Sequence, residues 1–335
     1  MNGALSLSRT QRQRPWRSRQ VQRGVALIVA ILLVALGTII AATVAYENAM
    51  AARRGTATFA FDQSIMISEG AEALAAFGIR QFFQANPSNV YLGQGWDKPV
   101  GPMEVVPGVM LEASLEDMQG RLNLNNLVQK DGTPDPVYVA AFTKLLELVG
   151  LETKWAPLLV DWIDVDIVPQ SIDGAEDSVY MGQTPPYRTA NRYITSTTEL
   201  LALPGFGRDR YLALAPYITA LPQGTKINVC TARDKVLDAF LAAGQTEFSA
   251  TAGQLDKNRT ATTGCFPTLA NYQAAFSGPK TTGTSQAVNK FGQNSVYFRL
   301  TSFITIGSAQ FSLYSLLYRD ATGAVRPIQR SFAPD

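Results

Sequence analysis

Apolar and polar positions fall along this chain in distinct regimes. From Val25 to Tyr46 no charged residue occurs and most side chains are apolar. As a helix at ~1.5 Å per residue this run spans roughly 33 Å, enough to cross a bilayer. From Glu47 to Gln84 the pattern is mixed. Phe59, Ile65, Ile67, Leu74, Phe77 and Ile79 recur at helical spacing among Asp62, Gln63, Glu69 and Glu72, with no proline. The spacing predicts one helix, apolar in its first half and amphipathic in its second, ended by Asn86-Pro87. Its second half is expected to pack one face on a sheet.

Beyond the helix, Gly93 to Pro107 reads as a loop. Val109 to Asp117 alternates as a strand, Gln119-Gly120 marks a turn, and Arg121 to Asn125 alternates again. The period then becomes helical over Pro136–Leu151 and Pro157–Ile163. Asp164 to Arg192 is a long acidic, proline-bearing loop. Two short helices, Thr197–Leu203 and Arg208–Leu214, flank Pro204-Gly205-Phe206-Gly207. Lys226 to Cys230 is strand-like, Asp234 to Ala243 a short helix, and Thr246 to Gln293 has no clear period. Ser295–Ile306, Gln310–Tyr318 and Val325–Phe332 read as an antiparallel meander. The expected fold class is α+β: a long N-terminal helix packed on an antiparallel sheet, with a large inserted α-helical domain at 126–223. The other divisions are a leader at 1–24, a membrane-crossing half-helix at 25–46, the amphipathic stem with the first strands at 47–125, and the remainder of the sheet domain at 224–335.

Charge sharpens this picture. Arg9, Arg12, Arg14, Arg17, Arg19 and Arg23 precede the apolar run with no acid among them, which predicts that the N-terminus stays cytoplasmic and the bulk crosses the membrane. Removing these six from 29 basic residues leaves 23 against 27 acidic ones, a net charge near −4. An acidic exported part argues against general nucleic-acid affinity. The chain has no histidine, which excludes Ser-His-Asp and Cys-His catalysis and histidine metal sites. Cys230 and Cys265 are the only cysteines. In an exported domain they read as one disulfide, contributing on the order of 3–4 kcal/mol by loop entropy. Two free buried thiols are the alternative.

The acidic loop is the best candidate ligand site. Asp161, Asp164, Asp166, Asp173, Glu176 and Asp177 fall within 17 residues. Hard oxygen ligands suit calcium, although the spacing is not an EF-hand; the other reading is a solvated acidic loop. Asp173, Glu176 and Asp177 are the favoured ligands, because Gly174 permits a tight turn between them, and Glu199 is a candidate to complete the shell.

A glycine directly before the apolar run, in Gln22-Arg23-Gly24-Val25, resembles the cleavage site of a type IV pilin or pseudopilin leader, cut between Gly24 and Val25 so that the apolar helix survives. Further segments are similar to the K-type minor pseudopilins of the type II secretion system, also called general secretion pathway protein K. They are Arg23-Gly24-Val25-Ala26-Leu27, Asp117-Met118-Gln119-Gly120-Arg121-Leu122-Asn123-Leu124-Asn125, Asp161-Trp162-Ile163-Asp164, Asp173-Gly174-Ala175-Glu176-Asp177, Pro185-Pro186-Tyr187-Arg188 and Ile227-Asn228-Val229. They run in order from the leader to about residue 240. The resemblance implies a pilin-like fold and a non-catalytic place at the tip of a short pseudopilus, beside the I- and J-type minor pseudopilins. It also implies a major pseudopilin and a prepilin peptidase as partners, an inner-membrane anchor with a periplasmic C-terminal domain, methylation of the new N-terminus, and calcium in the helical domain.

Pilins carry glutamate at the fifth position after the cut. Here that position is Val29. A carboxylate there would need a partner in an apolar bundle, and a subunit at the very tip has no neighbour to supply one. Leu203-Pro204-Gly205-Phe206-Gly207 resembles a helix-hairpin-helix and supplies the runner-up: a membrane-anchored DNA-binding protein of the competence type. A carboxylate-pair glycosidase is a third, weaker reading.

Overall fold

The computed structural model describes residues 22–85, 88–242, 244–262, 264–274 and 289–333. The leader up to residue 21 and the Asn86-Pro87 helix stop lie outside the described residues. The chain divides into two units, residues 1–61 and 62–335.

Helix α1 runs Gln22–Ala85. In the first unit it carries the apolar run, long and apolar enough to cross a membrane. Val25, Leu27, Ile28, Val29 and their neighbours through Val44 are all exposed. The polar breaks in this run are neutralised locally: Thr38 and Thr43 donate to the backbone oxygens of Ala35 and Ile39 at 2.8 and 2.9 Å. Such a surface needs lipid or other helices around it.

In the second unit the strands are β1 (Val100–Val106), β2 (Val109–Asp117), β3 (Leu122–Asn123), β4 (Ile218–Thr219), β5 (Ile227–Asn228), β6 (Phe291–Gly292), β7 (Tyr297–Ile306), β8 (Ala309–Arg319) and β9 (Val325–Ser331). The main sheet is antiparallel in the order β1-β2-β7-β8-β9. β1 corrects the loop expected at Gly93–Pro107. Its Gly101-Pro102 disguised it, but proline is tolerated in an edge strand, and the pairing shifts register there. β2 alternates as its sequence predicts, burying Val109 and Leu111 while Met110 and Glu112 face out.

Residues 62–85 of α1 pack on this sheet as expected, through Ile79 and partly buried Ile67, but not through every large residue named. The buried positions are Ser64, Ser68, Ala71, Glu72, Ile79 and Phe83, whereas Leu74 and Phe77 are exposed. Ser64, Ser68 and Ala71 let the helix approach closely, while Ile79 and Phe83 fill the core beside them. Ala71, Ile79 and Phe83 join Val90, Trp96, Leu111, Phe298, Leu300, Ile304 and Leu317 in one core. Buried Glu72 is matched across the interface by β9. Arg330 donates Nε and Nη2 to its two oxygens at 2.8 and 2.6 Å, and Ser315 Oγ donates at 2.5 Å.

The helices are α2 (Pro136–Leu148), α3 (Trp155–Ile163), α4 (Asp177–Tyr180), α5 (Gly207–Leu214), α6 (Asp234–Asp238), α7 (Gln254–Ala261) and α8 (Leu269–Ala274). α2 starts where expected because Asp135 caps the amides of Val137 and Tyr138 and proline occupies its first turn. Residues 197–202 form a 3₁₀ turn instead of the expected α-helix. These elements share a second core, which does not stop at residue 223. Ile227, Val229, Val236, Leu237, Phe240, Leu255, Tyr272 and Phe291 pack into it with Phe142, Leu145, Leu159 and Phe206. Part of the stretch assigned by sequence to the sheet domain therefore completes the helical body. Among the described residues, the aperiodic Thr246–Gln293 stretch holds α7 and α8.

Replacing Arg330 by alanine is expected to strand the buried Glu72 carboxylate. Because the Arg330 side chain is 44% exposed, the loss should be about 2–3 kcal/mol, under the ~3–5 for a fully buried pair. Denaturant unfolding of the detergent-solubilised chain reads it, and Glu72→Gln in the Arg330→Ala background should recover part of the loss.

Candidate functional site

The acidic loop is organised by its most buried acid. Asp161, in the last turn of α3, is fully buried. Its Oδ1 accepts the Gln170 amide at 3.0 Å and its Oδ2 the Ala175 amide at 2.7 Å. The loop thus wraps around one carboxylate. Gly174 makes this possible, since a Cβ there would collide with Asp161 Oδ2. Asp161 is an anchor whose oxygens are already used.

The wrapping brings three other acids together. Carboxylate oxygens of Asp164, Asp166 and Glu176 lie within 4.8 Å of one another. Asp164 caps the C-terminal end of α3, Asp166 follows two residues later, and Glu176 precedes α4. Asp164 and Glu176 are buried. Asp164 Oδ2 accepts the Gln170 side-chain amide at 3.1 Å, but its Oδ1 and both Glu176 oxygens have no hydrogen-bond partner among the described residues. Burial first, then the charges of Asp161, Asp164, Asp166 and Asp177, push Glu176 up to about 7. Burial, then Asp166 and Asp161, push Asp164 up to about 6. Buried carboxylates without donors are costly. The donor set is hard oxygen and fits a calcium-type cation.

Of the four ligands favoured from sequence, only Glu176 lies in this cluster. Asp173 is exposed at the loop's outer side. Asp177 Oδ1 accepts the Thr189 amide and hydroxyl at 3.1 and 2.9 Å, with Arg188 at 3.7 Å from Oδ2. Glu199 accepts the Thr195 amide at 2.7 Å and Trp162 Nε1 at 3.4 Å. Asp164 and Asp166 were in the acidic run. Their selection depended on Asp161 drawing Gly174–Ala175 inward, which spacing alone does not reveal.

The other motif segments serve as architecture. Tyr187 of the Pro-Pro-Tyr-Arg run packs beside Trp162 and Tyr180 and donates to Ala202 O at 2.6 Å. Phe206 of the hairpin is buried edge-on against Trp155 at 5.1 Å. Arg210 turns back to donate to the oxygens of Gly205 and Phe206, so one of the two arginines beside the hairpin is used within it. Cys230 and Cys265 form a disulfide with Cα atoms 4.7 Å apart, which excludes the two-thiol alternative.

A protein of Pseudomonas aeruginosa named type II secretion system protein K is 32% identical over 325 residues, covering 93% of this chain and 93% of its own length. The chain belongs to the type II secretion system protein K family. A family model described as type II secretion system (T2SS), protein K, matches residues 120–223, the helical insert. The type II secretion system protein K of Aeromonas hydrophila is 37% identical over 213 residues, 60% of this chain and 64% of that one. The fold is similar to a chain in the crystal structure of the GspK-GspI-GspJ complex from the enterotoxigenic Escherichia coli type 2 secretion system. The TM-score is 0.71 and the identity 23%, over 84% of this chain and 100% of that one. Membership in the K family makes the chain a minor pseudopilin of type II secretion; nothing in these relatives supports the DNA-binding alternative.

Glu176 links the cluster to pH. Its folded value of about 7 lies above its ordinary 4.5. Its contribution to stability is therefore fully present below the ordinary value and lost as pH rises through about 7. The melting temperature of the chelator-treated chain should fall between pH 5 and pH 8, and Glu176→Gln should flatten that slope and raise stability at pH 8. A melting series in chelator, parent against variant, reads both.

Proposed function

We propose that this K-family chain caps a short pseudopilus at its tip and takes no catalytic part in export. The observation that carries the reading is the helical body inserted between β2 and β7. A subunit stacked repeatedly along a thin fibre has no room for a body of that size on its stem domain. At the end of the fibre the same body meets no steric limit.

The rest of the molecule agrees with this position. The apolar half of α1 serves as a single inner-membrane anchor, with the arginine-rich end cytoplasmic and residues beyond it periplasmic. Cleavage by a prepilin peptidase between Gly24 and Val25, with methylation of the new amine, would leave that helix in the mature chain. Val29 has no carboxylate to pair with the amine of a preceding subunit, as suits a subunit with none above it. Partners are the I- and J-type minor pseudopilins, a reading supported by the GspK-GspI-GspJ complex in which the similar fold occurs, and below them the major pseudopilin. Exposed Leu74 and Phe77 on the stem supply apolar surface for such neighbours. Overexpression should shorten or deplete pseudopili, measured by electron microscopy of sheared fibres; longer fibres would overturn the capping role.

Calcium is the cofactor we assign to the helical body, with Asp164, Asp166 and Glu176 as side-chain ligands. When bound, it supplies positive charge where three carboxylates converge. Asp161 holds the loop that carries Glu176, and α3 holds Asp164. Since only the folded chain assembles this set, calcium at 100 times its dissociation constant should stabilise by about 2.7 kcal/mol. The melting temperature should rise in calcium and much less in magnesium, which demands a tighter octahedral shell. Asp164→Asn with Glu176→Gln should abolish the rise, whereas Asp173→Asn should leave it intact.

A further inference from the structure

Past its apolar run, α1 carries three charged residues before Asp62: Glu47, Arg53 and Arg54. Both arginines are exposed. None of the ion pairs among the described residues includes either of them. Glu47 and Asp62 stand six to nine positions away, outside the three- and four-residue spacings at which helical side chains meet. Neither acid neutralises the arginine pair within the helix.

Depth along the helix determines what lies beside them. A hydrocarbon core of ~30 Å takes about 20 helical residues, from Val25 to Val44. Tyr46, 67% exposed, then stands at the interface, where aromatic rings with a polar end collect. At the common tilt of ~20°, Arg53 and Arg54 stand roughly 10 Å beyond the hydrocarbon, just outside a headgroup layer of roughly 5–7 Å. Helical side chains lean toward the N-terminus, over the positions three and four before them. Here that direction is the membrane. Those positions are Ala49, Met50 and Ala51, which hold no acid to capture a guanidinium.

The anionic group at that depth is the phosphodiester of a phospholipid. A guanidinium presents a fork of donors that matches two phosphate oxygens. Adjacent helix positions point about 100° apart, so the two arginines take separate lipids. Glu47 falls within the headgroup layer, where the ammonium of phosphatidylethanolamine can balance it. A carboxylate of a neighbouring chain carries charge of the same sign, but the bilayer surrounds α1 before any neighbour does.

We propose that Arg53 and Arg54 form a phospholipid site, each clamping a headgroup phosphate at the C-terminal side of the apolar run. The site rests on the reading of α1 as a membrane anchor. The experiment purifies the full-length chain in mild detergent from bilayers of phosphatidylethanolamine and phosphatidylglycerol and reads retained lipid by native mass spectrometry. The parent should retain phospholipid. Arg53→Gln with Arg54→Gln should cut retention by about tenfold. Arg53→Lys with Arg54→Lys, which keeps the charge and loses the fork, should cut it by about threefold. Arg80→Gln, at another exposed arginine of α1, should change nothing. Equal retention in the parent and the glutamine pair, an equal loss in Arg80→Gln, or inorganic phosphate adducts in place of lipid ones would overturn the assignment. Arginines reserved for a neighbouring chain's carboxylate give the first of these outcomes, because the purified chain has no neighbour. Carbonate extraction of the same membranes separates the two readings. A parent chain that washes out fails as an anchor and loses the site with it. One that stays, with retention indifferent to the arginines, loses the site alone.

Discussion

A single buried carboxylate joins the sheet to the helical body. Asp117 ends β2 and accepts from the Gln119 amide, Asn228 Nδ2, the Thr231 hydroxyl and the Ser295 hydroxyl at 2.9, 3.1, 2.5 and 2.6 Å. Burial pushes its carboxyl up while these four donors pull it down. The segment that follows extends the knot. Gln119 donates to Lys226 O and accepts the amide of Val296. Gly120 lies so close to Thr231 that a Cβ would come within 2.7 Å of its backbone oxygen. Asn123 accepts the Leu221 amide, and Asn125 bonds Ile194 through both its nitrogen and its oxygen. In a low-dielectric interior such a network favours one arrangement, because any member left unpaired incurs its full desolvation cost.

The same physics sorts the acids of the chain into two kinds. Asp117, Asp161 and Asp238 are buried, and each accepts backbone or side-chain donors at both oxygens; Asp238 holds the amides of Phe248 and Ser249. Glu116 is satisfied by charge: Arg121, Arg233 and Arg299 lie at 2.5, 3.2 and 2.8 Å and hold it near 2 against the opposing effect of burial. Glu176 and Asp164 have no such supply. Their shifts point upward because burial and neighbouring acids both oppose ionisation.

What the sequence made legible follows from periodicity. β2, β7 and β8 were readable because their side chains alternate between core and solvent, and α2 because its cap and apolar stripe agree. β1 was hidden by Gly101 and Pro102, since an edge strand does not need every ladder donor. The packed face of the stem was read only in part: Ile79 buries as expected, but Ser64, Ser68 and Ala71 bury through small size, whereas hydrophobic counting follows Leu74 and Phe77. The acidic loop was legible as a charge cluster. Which carboxylates converge was not, because that depends on amides at Gln170 and Ala175 folding back onto Asp161. The Asp117–Asn125 motif stood out as a string, but its role rests on partners as far away in sequence as Ser295.

That distance bears on how an insertion of this size is tolerated. Ser295 and Asp117 are 178 positions apart, yet β2 and β7 pair without a break from Val109↔Ile306 to Asp117↔Phe298. Loop closure entropy grows slowly, each doubling of length adding only about 0.6 kcal/mol. The harder requirement is register, because a slip by one residue would turn Val109 and Leu111 to solvent. The knot lies at the mouth of the insertion, where Asp117 binds Ser295 and Gln119 binds Val296, and it resists that slip. Closing the helical body and aligning the sheet are thus one event. The helical body can carry its acid cluster and exposed loop without loosening the stem domain beneath it.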